Sequence, residues 1–249
     1  DGPGEYTSEL LDCLEENNAH ATFFMLGQNV QNYQDDVKRM LELGCEIGNH
    51  SWDHANMYKL SLDSVVKEFN DADQALIDAC GQASTVVRAP YGNANEDIMN
   101  AVGKPFFMWS LDSLDWKYKD VDLDYKSIMQ DNSSVIKDGT IILMHDIHEP
   151  SVKAAERIIP ELINMGFKLV TVSEMAEAKN VTLQNASYNN FWQDILDQGL
   201  VPGYAGNSTS DADTSDGTED SSDGSEDGSG SDGSEDYSDG SEDGSNSSE

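Results

Sequence analysis

From residue 1 to about residue 180, short apolar runs alternate with stretches of helical periodicity. Ala21–Leu26 (ATFFML), Cys45–Asn49 (CEIGN), Thr85–Pro90 (TVVRAP), Phe106–Leu111 (FFMWSL), Thr140–His145 (TIILMH) and Phe167–Val172 (FKLVTV) have strand length and are rich in β-formers. Between them, Asn32–Leu43, Leu62–Cys80, Glu96–Val102 and Val152–Met165 read as helices. Each is closed by a glycine able to enter the left-handed cap: Gly44, Gly81, Gly103 and Gly166. Ser61, Asn95 and Ser151 stand where N-caps belong. Repetition of strand then helix predicts parallel strands joined by helical crossovers, as an open doubly wound sheet or as a closed barrel. Either arrangement gathers its chemistry at the carboxyl ends of the strands.

The rest of the chain breaks this pattern. Val181–Tyr204 carries one amphipathic stretch, YNNFWQDIL, which predicts a short final helix packed on the main body. Beyond it the sequence is almost entirely Ser, Asp, Glu and Gly, with SDGSED repeated at Ser222, Ser231 and Ser238. So little apolar surface cannot offset the entropy of ordering, and residues 205–249 read as a disordered, self-repelling spacer rather than a calcium site. From Asp211 onward the tail holds 15 of the 48 acidic residues and none of the 14 basic ones, so the remainder still carries about −19. Both parts being acidic excludes nucleic acid and anionic membrane as partners, since phosphate binding needs Lys and Arg. No apolar run approaches the roughly 18 residues of a membrane span. Cys13, Cys45 and Cys80 fit neither a disulfide framework nor a C-x-x-C knuckle, and read as small buried hydrophobes, with one bridged pair as the alternative.

Polar clusters follow the strand candidates. His50 and His54 come after CEIGN, Arg88–Gly92 (RAPYG) after TVV, Leu111–Trp116 (LDSLDW) after FFMWS, and Met144–Asp146 (MHD) after IIL, while the chain opens with DGPG. Two imidazoles four residues apart can converge on one metal or simply be hydrogen-bonded surface histidines. The H-E-x-x-H metalloprotease reading fails because Ser51 stands where that motif needs its glutamate. Taken together the clusters hold the parts of a metal-assisted hydrolase. Asp1, His50 and His54 form a two-His, one-carboxylate set. Arg88 is a fixed cation, Asp112 and Asp115 are acids near an aromatic wall, and His145 can serve as a general acid.

The order D-G-P, H-S-x-x-H, R-A-P-Y-G, D-S-x-D-W and L-M-H-D resembles the polysaccharide deacetylase family, the NodB-like carbohydrate esterases of family 4, over residues 1–180. The resemblance implies an α/β fold, a distorted (β/α) barrel, with the first strand absent from this chain. It implies a divalent metal, zinc before Co2+, Ni2+ or Mn2+, held by Asp1, His50 and His54. His145 would be the general acid, tuned by Asp115, with Asp112 as the alternative. Arg88 would orient the general-base Asp, which the family's motif places immediately before Asp1. The Tyr91 N–H would donate to the oxyanion, and Trp116 and Leu143 would wall the acetyl methyl.

The activity implied is removal of acetyl groups from N-acetylglucosamine-containing polysaccharide, peptidoglycan or chitin oligomers. The alternatives are acetylxylan esterase activity and a catalytically inactive glycan-binding homologue. On this reading residues 1–180 are an N-terminally truncated catalytic domain, 181–204 a C-terminal extension and 205–249 the tail. The protein is expected to be monomeric, without membrane insertion, and extracellular or wall-associated, its signal peptide lost with the upstream residues. His148 is expected at the rim, and His20 in a structural role.

Overall fold

The computed structural model describes residues 1–205; the expected disordered tail lies, from residue 206 onward, outside the described residues. In chain order the elements are α1 (Thr7–Glu16), β1 (Thr22–Met25), α2 (Gly27–Val30), α3 (Gln34–Glu42), β2 (Glu46–Asn49), α4 (Leu62–Cys80) and α5 (Glu96–Val102). They continue with β3 (Phe106–Phe107), β4 (Leu111–Asp112), α6 (Asp115–Tyr118), α7 (Val121–Lys126), β5 (Ile142–Leu143), α8 (Glu149–Asn164), α9 (Val172–Ala178), β6 (Ser187–Tyr188) and α10 (Gln193–Asp197).

Every strand pair is parallel, as helical crossovers require. β1 lies on β2 with Thr22 opposite Glu46 and Met25 opposite Asn49, β3 on β6, and β4 on β5. Single parallel bridges, Asn49 to Val87 and Val87 to Phe106, tie β2 to β3 through Val87. Gly48 is dictated by this packing: a Cβ there would sit 2.5 Å from Cδ1 of Phe24 on β1.

Several predicted elements are reshaped for local reasons. TVVRAP contributes only Val87 to the sheet, because Pro90 cannot donate and opens a tight 3₁₀ turn over Pro90–Gly92. FFMWSL is two strands, since the chain changes partner within it: Met108 N–H donates to the Tyr188 carbonyl, whereas Ser110 N–H donates to that of Ile141. FKLVTV forms no strand among the described residues. Its Thr171 caps α9, accepting from Glu174 N–H while the Glu174 carboxylate returns a bond to Thr171 N–H, and this capping box draws Val172 into helix. α8 starts three residues before its predicted beginning, with His148 at the N-cap and Pro150 in the first turn. Ser151 is therefore inside the helix, buried, with no partner for its hydroxyl. Ser61 and Asn95 do cap α4 and α5, and Gly81 and Gly103 end those helices at φ 85° and 72°. The predicted final helix is α10; the two-residue β6 ahead of it was too short to show a period. All three cysteines are free thiols, so the bridged alternative is ruled out.

The main core is shared by α1, β1, α3, β2, α4 and α8, through Leu11, Phe23, Met40, Ile47, Leu76 and Ile159. A second cluster stacks Tyr188 on Phe107 and Phe191 at ring separations of 5.3 and 5.8 Å, and so anchors the C-terminal extension. Each fully buried side chain of this size contributes roughly 1.5–3 kcal/mol. No helix among the described residues is long and apolar enough to cross a membrane.

Candidate active site

The end of β2 aims the first imidazole. His50 N–H donates to the Met25 carbonyl at 2.9 Å, and His50 Nδ1 lies 2.7 Å from the Arg88 carbonyl, which assigns the ring proton to Nδ1 and leaves Nε2 as a lone pair. The chain then turns through two left-handed residues, Ser51 (φ 72°) and His54 (φ 67°). This turn brings the second ring back, 5.0 Å from the first between centroids. Asp1 faces both: its Oδ1 is 3.1 Å from His50 Nε2 and 3.4 Å from His54 Nε2. The chain start is fixed by Asn29, whose side-chain amide donates to the Asp1 carbonyl, and by Leu26 N–H, which donates to the Gly2 carbonyl.

One ligand atom from each of these residues lies within 4.8 Å of the other two. Burial holds the His50 pKa well below its ordinary value and lowers that of His54. Both rings are therefore neutral near pH 7. Two imidazole nitrogens and a carboxylate with a fixed tautomer fit a first-row divalent cation and leave further positions free.

A second centre lies across the cavity. His145 Nδ1 is 2.7 Å from Asp115 Oδ1, and its own N–H donates to Asp115 Oδ2 at 2.7 Å. Asp115 is wholly buried and also accepts from Trp116 N–H. Burial pushes the Asp115 carboxyl up, but the bonds and charge of His145, with Ser113, outweigh it and hold the pKa below the usual range. Of the two acids in LDSLDW, it is thus Asp115 that meets His145; Asp112 turns back to accept from Leu114 N–H.

Arg88 is buried beneath both centres. Its Nε donates to the Phe107 carbonyl at 2.9 Å and its Nη2 to that of Met108 at 3.0 Å, with the guanidinium 4.3 Å from the Phe24 ring centroid. Burial alone lowers its pKa to about 9. Among the described residues no carboxylate pairs with it, so its charge is free to attract an anion.

A cavity of about 290 Å³ runs between β1 and the Thr140–Asp146 segment, and brings together Asp1, His50, Arg88, Leu143 and His145. His54, Asp115, Asp112, Tyr91 and Trp116 lie outside its lining. Tyr91 is 62% exposed, at φ 60°, with its ring edge-on to His54 at 4.5 Å. Trp116 is half-exposed. His148 stands at the N-cap position of α8 without a side-chain bond to it, and His20, which also lines the cavity, pairs with Glu174. Sequence reasoning missed the acids that hold the His50–His54 loop. Glu68 on α4 accepts from Trp52 and Asp53 N–H, and Asp73 accepts from Asn49. They stand 15 and 24 residues beyond the loop residues Asp53 and Asn49 respectively, so no local motif exposes them.

Comparison with known proteins fits this geometry. Residues 1–105 match the polysaccharide deacetylase family profile. The peptidoglycan-N-acetylmuramic acid deacetylase PdaC of Bacillus subtilis is 39% identical over 180 residues, covering 72% of this chain and 38% of its own length. This chain thus spans well under half of that relative. A peptidoglycan-N-acetylglucosamine deacetylase of Bacillus cereus is 34% identical over 205 residues, covering 78% of this chain and 71% of the relative. The structure of a family 4 acetyl xylan esterase from Clostridium thermocellum, in complex with a cobalt ion, superposes with a TM-score of 0.70 at 30% identity, covering 76% of this chain and 95% of the esterase. Likeness on this scale extends the distorted (β/α) barrel to the present fold. The strand-end residues, the shared fold and the extent of these matches lead to one assignment: the chain belongs to the polysaccharide deacetylase family.

Proposed function

We propose that the protein is a metal-dependent hydrolase that removes acetyl groups from N-acetylglucosamine-containing polysaccharide, with peptidoglycan as the first candidate and chitin oligomers next. The observation that supports this reading is the convergence of Asp1, His50 and His54 on one point, with Asp1 and His50 lining the same cavity as His145, whose ring is held by Asp115. A bound divalent cation, for which zinc suits the donor set best, would supply Lewis-acid polarisation of the acetyl carbonyl and acidify water there.

The chain's own residues do the rest. Asp115 fixes His145 by its Nδ1, so that Nε2 can deliver a proton to the leaving amine as the C–N bond breaks. Tyr91 presents its main-chain N–H toward the developing oxyanion, and Leu143 and Trp116 flank the acetyl methyl. Arg88, whose charge has no carboxylate partner among the described residues, orients the base carboxylate that the family motif places immediately before Asp1. Water is the nucleophile, and no covalent acyl-enzyme forms. A substrate in the cell wall makes export and a wall-facing location the natural setting.

Acetate release from peptidoglycan fragments and chitin oligomers by the full-length protein, with zinc and after chelation, tests the proposal. Chelator-sensitive release is expected. Absence of release from either glycan, with binding retained, would replace the enzyme by a glycan-binding homologue. The structural match to an acetyl xylan esterase favours one second reading, ester hydrolysis on acetylated xylan at the same centre. A higher kcat/KM on xylan than on both amide substrates would select it.

A further inference from the structure

The two imidazoles of the proposed metal centre depend on a loop that is left-handed twice, at Ser51 and His54, with no glycine at either position. L-residues rarely adopt this backbone, so something must hold it. The hydrogen bonds trace the support to α4. Ser51 N–H donates to Asn49 Oδ1 at 2.8 Å, and Ser51 Oγ accepts from His54 N–H at 3.2 Å. Asn49 is completely buried, and both protons of its side-chain amide are used: one on the Phe69 carbonyl at 2.7 Å, the other on Asp73 Oδ1 at 2.9 Å. This full use fixes which way the amide faces. Turned over, it would place two donors against Ser51 N–H and leave its oxygen against two acceptors.

Asp73 is held in turn. Its Oδ1 accepts from Ser84 N–H and Oγ, and its Oδ2 pairs with Lys104, which also donates to the Ser84 carbonyl. Among the described residues, the only cation paired with Asp73 is thus one that has no part in the cavity.

We propose that Asp73 is a positioning residue for the metal centre: through Asn49 and Ser51 it sets the spacing of the His50 and His54 rings. The proposal rests on the metal-centre reading above and adds a residue outside every sequence motif. Without the Asp73 oxygen, one buried Asn49 proton loses its partner, the amide can turn over, and the Ser51 turn loses the acceptor that defines it. The two imidazoles then sample more separations than a cation tolerates. Groups that orient metal ligands are each worth 10- to 100-fold in affinity, and a group one bond further out belongs at the low end, about tenfold.

Zinc affinity of the full chain, measured by competition with a chromophoric chelator, reads this directly without any activity. Asp73→Ala is expected to weaken zinc binding about tenfold, and Asp73→Asn, which keeps an oxygen facing Asn49, to stay within about twofold of wild type. Ser84→Ala removes a different bond to the same carboxylate. It should lower the melting temperature and leave zinc affinity unchanged, an outcome that a merely structural cluster would not give. If Asp73→Ala fails to fold by circular dichroism, Asp73→Ser, too short to reach Asn49, takes its place with the same expectation. Zinc binding within twofold of wild type in the Ala or Ser variant, or equal losses in the Ser84 and Asp73 variants, overturns the role of Asp73. A wild-type chain that binds no zinc overturns instead the metal-centre reading beneath it.

Discussion

Asp124 on α7 buries a carboxylate that no cation pairs among the described residues, and replacing it should make the protein more stable at neutral pH. Its side chain is wholly buried, and neither carboxylate oxygen has a hydrogen-bond partner among the described residues. The helix around it lays Val121 and Tyr125 on the cluster of Leu111, Ile128, Ile158 and Leu162. Burial first, and then the charge of Asp115, push its pKa up to about 6, against the opposing effect of the Asp120 main chain. An unfolded aspartate titrates near 3.9, so between about pH 4 and pH 6 the native state binds the extra proton, and stability falls as pH rises through that window. Above it the full penalty remains. A rise of this size corresponds to at most about 3 kcal/mol, and relaxation or water entry around the carboxylate brings the expected figure to about 1–2 kcal/mol. Asp124→Asn keeps the shape and removes the charge. For a folded unit of this size the variant should melt about 2–8 °C above wild type at pH 7.5, and level with it near pH 4. Scanning calorimetry at the two pH values checks both numbers. An equal shift at both pH values, or a lower melting temperature at pH 7.5, would refute the claim that an unpaired buried charge sets the effect.

Three further outcomes follow from the site and its packing. Zinc at about 100 times its dissociation constant should raise unfolding free energy by about 2.7 kcal/mol, and His50→Ala should abolish the shift seen in thermal melts. Asp115→Asn leaves the zinc trio intact but removes the negative charge that fixes and supports His145. Acetate release should fall by a factor on the order of 10² to 10⁴, with zinc affinity by chelator competition unchanged. Gly48→Ala drives a methyl into Phe24, where the Cβ would lie 2.5 Å from the ring, and should cost about 1–3 kcal/mol in urea denaturation.

What the sequence discloses and what it hides divide along one physical line. α4 was legible to the residue because both of its ends are written locally, in the Ser61 hydroxyl that accepts from Ser64 N–H and in the left-handed Gly81. His50 and His54 were legible as a pair by their spacing. Asp1 joined them as one of several polar clusters near strand ends, and the family resemblance then made it a ligand, since its carboxylate reaches them across 49 residues of chain. FKLVTV misled because apolar content reads alike in a strand and in a segment entering a helix; Thr171 and Glu174, three apart, carried the deciding signal. Asp112 and Asp115 differ by one turn of backbone, and only the fold shows that the first caps its own turn while the second is sealed under His145.

Asp124 and Asp73 mark the harder limit. In sequence the first sits within DVDLD and the second within NDADQ, both of which read as solvated acidic faces. Whether such an acid meets water, a lysine or nothing depends on which helix crosses over it, and that is fixed by contacts between elements far apart in the chain. Lys104 reaches Asp73 from beyond α5, whereas no cation among the described residues pairs with Asp124. The same residue type, on the same kind of acidic helix, is therefore a support in one place and a liability in the other. The candidate site residues stand near strand ends, where neighbours in sequence are neighbours in space. The groups that hold them stand on crossover helices, where they are not, so the supporting shell has to be read from the structure even when the chemistry is plain in the sequence.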